Sequence, residues 1–236
     1  MSLKFSTALR NKLLGKIATV SGTRLTLTAS SNRVADSSNG LLDLGFRPSD
    51  VVQISNSGAS NDGYFSVTSV QTDGSYMTIS SVTGDESSDA DLQVDGMGKG
   101  FKEIFRHAIL DIYSGSCPSD ADSAETGTKL VSITVDGGTL TKGTSTNGLD
   151  WETPSAGAIA KSTSETWEGT AAATGTAGYF VLYDNAYDTG ADTDAYAIRL
   201  MGTVGTSGTD LELTSTSITS GEPVTVSSAS FTCPAS

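Results

Sequence analysis

Apolar and polar positions alternate along most of this chain, with a period near two and frequent interruptions. Leu25 and Leu27 alternate with Arg24, Thr26 and Thr28. Val52 and Ile54 share one face of Asp50–Ser55, and Phe65 and Val67 oppose Tyr64 and Ser66 in Tyr64–Val70. Such alternation predicts half-buried strands. Asn61-Asp62-Gly63 and Asp73-Gly74 punctuate these runs as turns, and Tyr76–Val82 and Leu92–Val94 follow as further strands. Together with Ile17–Val20, they predict a small β-barrel or sandwich over residues 16–98. The apolar content of that segment is thin, which implies a modest stability margin.

The pattern differs on either side. In Leu3–Leu14, Phe5, Ala8, Leu9 and Leu13 recur at roughly helical spacing, and Gly15 supplies a stop. A short helix and an extended arm both fit. Phe101, Ile104, Phe105 and Ala108 form an i, i+3, i+4, i+7 stripe, with His107 inside it. Strand signals then resume at Ala108–Tyr113 and Lys129–Val135, and Asp136-Gly137-Gly138 turns the chain. Trp151, Ile159 and Trp167 mark further strands. Tyr179–Tyr183 is apolar at every position, which predicts burial on both faces or an interface. Tyr196–Val204, Leu211–Leu213, Thr216–Ile218, Val224–Val226 and Phe231 complete the set. The expected fold is mainly β: an antiparallel, jelly-roll-like sandwich with a short helix, carrying an inserted small β domain. The expected organisation is an arm over 1–15 that belongs with a main domain at 99–236, with the insert between.

The chain has 236 residues, 36% hydrophobic, 17% charged, with 26 Gly and a formal net charge of −13. That composition suits many short strands. The acidity disfavours sequence-independent nucleic-acid binding. No apolar run approaches a membrane span, and Arg10, Asn11 and Lys12 interrupt any secretory core, so a cytoplasmic origin is expected.

Candidate chemistry is sparse. His107 is the one histidine, so a Ser-His-Asp triad has to use it, and a packed or surface position fits it better. Glu165 and Glu168 flank Trp167 without the look of paired glycosidase carboxylates. Asp184, Asp188, Asp192 and Asp194 could converge on calcium, although a solvated acidic hairpin tip is the plainer reading. Asp85, Glu86, Asp89 and Asp91 form a weaker acidic group. Cys117 and Cys233 read as free thiols in a reducing compartment, or as a disulfide formed within or between subunits after release from the cell. No pattern calls for a cofactor.

Several of these runs resemble known sequences. GFRPSDVVQISNSGASNDGYFSVTSVQTDGSYMTIS is similar to a small β module of tailed-phage virion proteins. The similarity rests on Gly45-Phe46, Asp50 before Val51–Ser55, Asn61-Asp62-Gly63-Tyr64, Val67-Thr68-Ser69-Val70 and Met77–Ser80. The flanks resemble a phage protein family in which MSLKFSTALRNKLLG runs almost directly into GFKEIFRHAILDIYSG, followed by GTKLVSITVDGG, NGLDWETPSAG and SETWEGTAAATGTAGYFVLYD. The resemblance implies a non-enzymatic virion component made in the host cytoplasm. It implies a homo-oligomer with capsid or neck proteins as partners, and with neither nucleic acid nor membrane. Capsid decoration (cement) and neck or collar roles both fit. So does a surface adhesin in which Tyr183, Tyr187 and Tyr196 stack sugars.

Overall fold

Runs of two to nine residues, broken by Gly, Asn, Asp and Ser, form strands joined by tight turns. The computed structural model describes residues 3–13, 16–97, 100–192 and 197–232. The chain is mainly β, 40% strand and 6% helix, with antiparallel sheets that do not close into barrels.

In chain order the elements begin with β1 (Lys4–Phe5), α1 (Thr7–Leu13), β2 (Lys16–Ser21), β3 (Leu25–Thr28), β4 (Arg33–Asp36) and β5 (Val51–Ser55). Then come β6 (Gly63–Val70), β7 (Tyr76–Ile79), β8 (Glu86–Ser87), β9 (Gln93–Met97), α2 (Phe101–Ile104), β10 (Ile109–Ser114) and β11 (Lys129–Val135). The last are β12 (Ala158–Ala160), β13 (Trp167–Thr170), β14 (Gly175–Tyr183), β15 (Arg199–Gly205), β16 (Leu211–Glu212), β17 (Ser217–Ile218), β18 (Pro223–Thr225) and β19 (Ser230–Thr232). They form two compact units. One comprises Met1–Arg10, Phe101–Thr141 and Ser145–Ser236; the other comprises Asn11–Gly100 with Lys142–Thr144.

The inserted unit is an open eight-stranded sheet in the order β2-β9-β5-β6-β7-β4-β3-β8. Its entry and exit strands are neighbours: β2 pairs antiparallel with β9, Lys16 opposite Met97. The long strand β6 pairs with β5 on one side and with β7 on the other, and the β7 register shifts between Val67 and Ser69. The alternation works as the sequence suggests, with Leu25, Leu27, Val52 and Ile54 all buried. Strand β4 was not anticipated. It holds a buried Asp36, whose carboxylate accepts from Arg24 Nε at 2.6 Å and from the backbone N–H of Ser38 and Gly40 at 3.0 and 3.1 Å. Burial alone would push this carboxyl up; Arg24 and the two backbone donors outweigh burial and hold it below its usual range. At the β6–β7 turn, Gly74 has φ +70°, and a Cβ there would lie 2.3 Å from the Asn39 carbonyl oxygen. Only glycine fits.

The other unit is built on a nine-stranded sheet. Its main path is β1-β15-β14-β10-β11-β13-β18, with β16 parallel beside β15 and β17 beside β14, and β12-β19 forms a separate ribbon. Strand β14 is central, and Tyr179 to Tyr183 are all buried. Leu110, Ile112, Phe180, Leu182 and Leu200 face a core shared with Trp151, Trp167, Leu213 and Val226. Ile109, Tyr113, Tyr179, Val181, Tyr183 and Met201 face a second core. Strand β11 is buried on both faces, with Leu130 and Thr134 buried along with Val131 and Ile133.

The stripe from Phe101 to Ala108 is helical only as far as Ile104. Its apolar members are still packed inward, with Ile104, Phe105 and Ala108 almost fully buried. His107 takes φ +58°, which turns the chain, and Ala108 bridges to Leu149 to begin strand pairing. Pairing of Ala108 and the following β10 thus takes over from helix after one turn. At the other end of this unit, Ala8 and Leu9 share the core of Ile104, Phe105 and Ala108, with Leu3, Phe5 and Phe101 packed against it. Leu9 is fully buried. Leu9→Asp buries a charge there and should cost on the order of 3 kcal/mol of stability. Denaturant unfolding checks this; an unchanged midpoint would remove Leu9 from the core.

Candidate functional site

The most concentrated chemistry lies on one face of β10, β14 and β15. Cross-strand register places Ile109 opposite Tyr183, Asp111 opposite Val181 and Tyr113 opposite Tyr179. Arg199 on β15 lies opposite Tyr183. A charged residue in the middle of the apolar run Ile109–Tyr113 needs partners, because the strand on either side excludes water. Asp111 Oδ2 accepts from Tyr187 Oη at 2.8 Å and from Tyr113 Oη at 3.4 Å, and lies 3.4 Å from Lys129 Nζ. Lys129 Nζ donates to Tyr187 Oη at 2.6 Å. Tyr113 and Tyr183 share a hydrogen bond of 3.2 Å. Tyr183 donates to Glu125 Oε1 at 2.7 Å, and Arg199 Nη1 reaches the same oxygen at 3.2 Å. The polar groups therefore form one chain from Lys129 to Arg199.

Burial sets their ionisation. Asp111 is fully buried, and desolvation pushes its carboxyl up despite Ser132, Lys129 and Tyr187. Desolvation, with nearby carboxylates adding to it, raises the Tyr113 and Tyr183 phenols strongly, so both stay protonated as donors. The Lys129 ammonium is held above its ordinary value, because Tyr187 and Asp111 outweigh its own desolvation. Asp111, Tyr183 and Arg199 are each at most 1% exposed. A reactant cannot reach them, so the network's chemistry is to satisfy charge inside the sheet. Lys129 and Tyr187, at the other end of the chain, line a groove of about 410 Å3 together with Ser132, Thr134, Thr139 and Leu140. This corrects the sugar-stacking reading of Tyr183, which is a core residue. Tyr187 is half-buried with its ring edge-on to Tyr183, and Tyr196 lies outside the described residues. Asp111, Glu125 and Arg199 were not singled out from the sequence. The available signal was a lone charge within an apolar strand, in ILDIY and again in AIRLM.

The other candidates fall into local roles. Asp184 is buried and its Oδ1 accepts from the Ala186 backbone N–H at 3.1 Å. Asp192 Oδ2 accepts from the Ala197 N–H at 3.0 Å. Among the described residues no three or more His, Cys, Asp or Glu side chains converge as metal ligands, Asp188 included; Asp194 lies outside them. In the inserted unit, Asp85 accepts from the Ala29 N–H, Glu86 from Ser57 and Gly58, and Asp89 from the Asp91 N–H. These carboxylates fasten loops.

His107 sits in the turn after α2 instead of on a helix face. Its backbone N–H donates to Asp150 Oδ1 at 3.1 Å, and its Nδ1 lies 3.3 Å from Asp150 Oδ2. That second approach brings the imidazole and the carboxylate together without hydrogen-bond alignment. Burial would raise Asp150; the His107 imidazole, its N–H and Arg106 outweigh it and hold the carboxyl low. Glu165 Oε2 accepts from the Asp150 N–H and from Trp167 Nε1, both at 2.9 Å, while Glu168 lies on β13 opposite Thr134 of β11. Cys117 is a free, half-buried thiol pushed up by burial against the opposing Lys4 ammonium. Its suggested partner Cys233 lies outside the described residues. No helix among the described residues is long and apolar enough to cross a membrane. No known protein family, no curated protein and no solved structure matches the chain.

The raised Asp111 carboxyl has a definite pH signature. Between its ordinary and its raised value the folded state binds more protons than the unfolded state, so stability falls as pH rises through that window. Asp111→Asn removes this slope. The stability of the wild type relative to Asp111→Asn should therefore be greatest at or below the ordinary carboxyl range, about pH 4, and decline as the pH rises above it. Urea midpoints of both proteins across that range check it; a constant difference would mean Asp111 does not titrate upward.

Proposed function

We propose that this chain is a non-enzymatic structural component of a tailed-phage particle, a capsid decoration or cement protein that binds the head surface and displays its inserted unit. The observation that carries the display reading is the pairing of β2 with β9, Lys16 opposite Met97. Paired strands lie about 5 Å apart, so the two ends of the insert are close enough to be spliced into one surface connection. An addition at such a connection is tolerated and commonly carries a function of its own. The particle setting rests on the resemblance of the flanks MSLKFSTALRNKLLG and GFKEIFRHAILDIYSG, and of the insert, to phage virion sequences. The non-enzymatic reading is supported by the burial of Asp111, Tyr183 and Arg199 in the most concentrated group of titratable side chains among the described residues.

Quantified gels of purified particles test the role. A high copy number matching the capsid lattice supports decoration. A single ring's worth of copies moves the protein to the neck or collar, and absence from particles overturns the reading. A chain lacking residues 16–97 should fold, unfold cooperatively and still join particles. An unfolded deletion protein would show that the insert is not a separable display unit.

A further inference from the structure

A second cavity, of about 400 Å3, lies within the unit built on β10, β14 and β15. One side is aromatic. Phe101 stacks on Phe231 with centroids 4.7 Å apart and an interplanar angle of 6°. Trp151 stands edge-on to Phe101 at 5.2 Å and to Trp167 at 5.1 Å. All four rings line the cavity. The lining also includes two carboxylates, Asp210 and the exposed Glu212, and no Lys, Arg or His. Asp210 Oδ2 is held by the Thr203 N–H and hydroxyl, and Glu212 Oε1 by the Gly208 N–H. Asp210 Oδ1 and Glu212 Oε2 have no partner among the described residues.

We propose that this cavity is an anchor site for an arginine side chain presented by a partner protein. The argument is complementarity of charge and shape. Two carboxylates without a cation in the same cavity repel an anionic occupant and attract a cationic one, in a chain that already carries a net charge of −13. The aromatic walls favour an alkyl stem and a flat, weakly hydrated head over a compact, strongly hydrated ammonium. A guanidinium presents a planar fork of donors that suits a carboxylate such as that of Glu212, which an ammonium matches less well. Arginine is also among the side chains enriched where interfaces concentrate their binding energy. The inference does not depend on the virion reading.

The test uses the two tryptophans as reporters, since the chain contains only Trp151 and Trp167 and both line the cavity. N-acetyl-arginine amide is titrated while tryptophan emission is followed, with N-acetyl-citrulline amide as the uncharged isostere. The expected result is a saturable change with arginine in the millimolar range, about tenfold weaker with citrulline and weakened by salt. Glu212→Gln keeps an acceptor for Gly208 and removes one of the two charges, so it should weaken arginine several-fold, towards the citrulline value, while the citrulline response stays the same. Circular dichroism of Glu212→Gln confirms that it is folded; if it is not, the salt dependence and the arginine-to-citrulline ratio of the wild type decide. Equal affinity for arginine and citrulline would make this an apolar cavity with no charge preference and overturn the proposal. So would the absence of any spectral change, or full arginine affinity in a folded Glu212→Gln.

Discussion

The double burial of β14 organises the unit that holds it. A strand with Tyr179, Phe180, Val181, Leu182 and Tyr183 in succession cannot turn either face to water without exposing several large side chains. Both faces must be covered. On one side this is done by the core that gathers Trp151, Trp167 and Leu213, together with the residues of α1 and α2 that pack into it. On the other it is done by the aromatic and aliphatic cluster around Tyr113, Tyr179 and Met201. The antiparallel neighbours β10 and β15 repeat the same two-sided burial through Leu110 and Ile112 on one face and Ile109 and Met201 on the other.

That coverage explains the polar chain on the second face. Once Asp111 and Arg199 are inside the sheet, each must find a partner there, because an unpaired buried charge costs several kcal/mol, on the order of 3–5. Lys129, Tyr187, Tyr113, Tyr183 and Glu125 supply those partners in series. Each contact also fixes a register, since Asp111 and Tyr183 reach their partners only when β10, β14 and β15 are aligned as they are. Most tyrosines here therefore act as donors held in their protonated form, with little surface left for recognition.

The inserted unit solves a different problem. It is small and thinly apolar, and it builds its core from both sides of β6, with Val52, Ile54 and Val94 on one part of the sheet and Leu25, Leu27, Val34, Met77 and Ile79 on the other. Arg24 with Asp36, and Asn61 with the loop at Thr83 and Gly84, fasten connections that hydrophobic contact alone would leave loose. Its first and last strands are paired, so the unit imposes little separation on the segments that flank it.

Much of this was legible in the chain itself. Period-two alternation marked β3, β5 and β6, and the continuous apolar run marked β14 as buried on both faces or at an interface, because those features depend on local chemistry that any fold must respect. The change of texture at either end of residues 16–98 suggests a spliced organisation with the arm 1–15 on the main domain, whereas the compact units divide the chain after Arg10 and add Lys142–Thr144 to the inserted unit. What the sequence could not supply was which residues face one another across strands. The short strand β4 has one small alternation and no flanking signal, and it exists because β3 and β7 pair with it on either side. The stripe from Phe101 to Ala108 has helical spacing, yet it yields to strand pairing after one turn, since the left-handed His107 and the bridge from Ala108 to Leu149 outweigh a local preference. Tyr183 carries two readings in the sequence, a member of a buried strand and a sugar-stacking aromatic, and Asp111 draws no attention there at all. Both are buried because the partners that satisfy them, Glu125 and Lys129, come from segments far away in sequence that only the tertiary fold brings alongside.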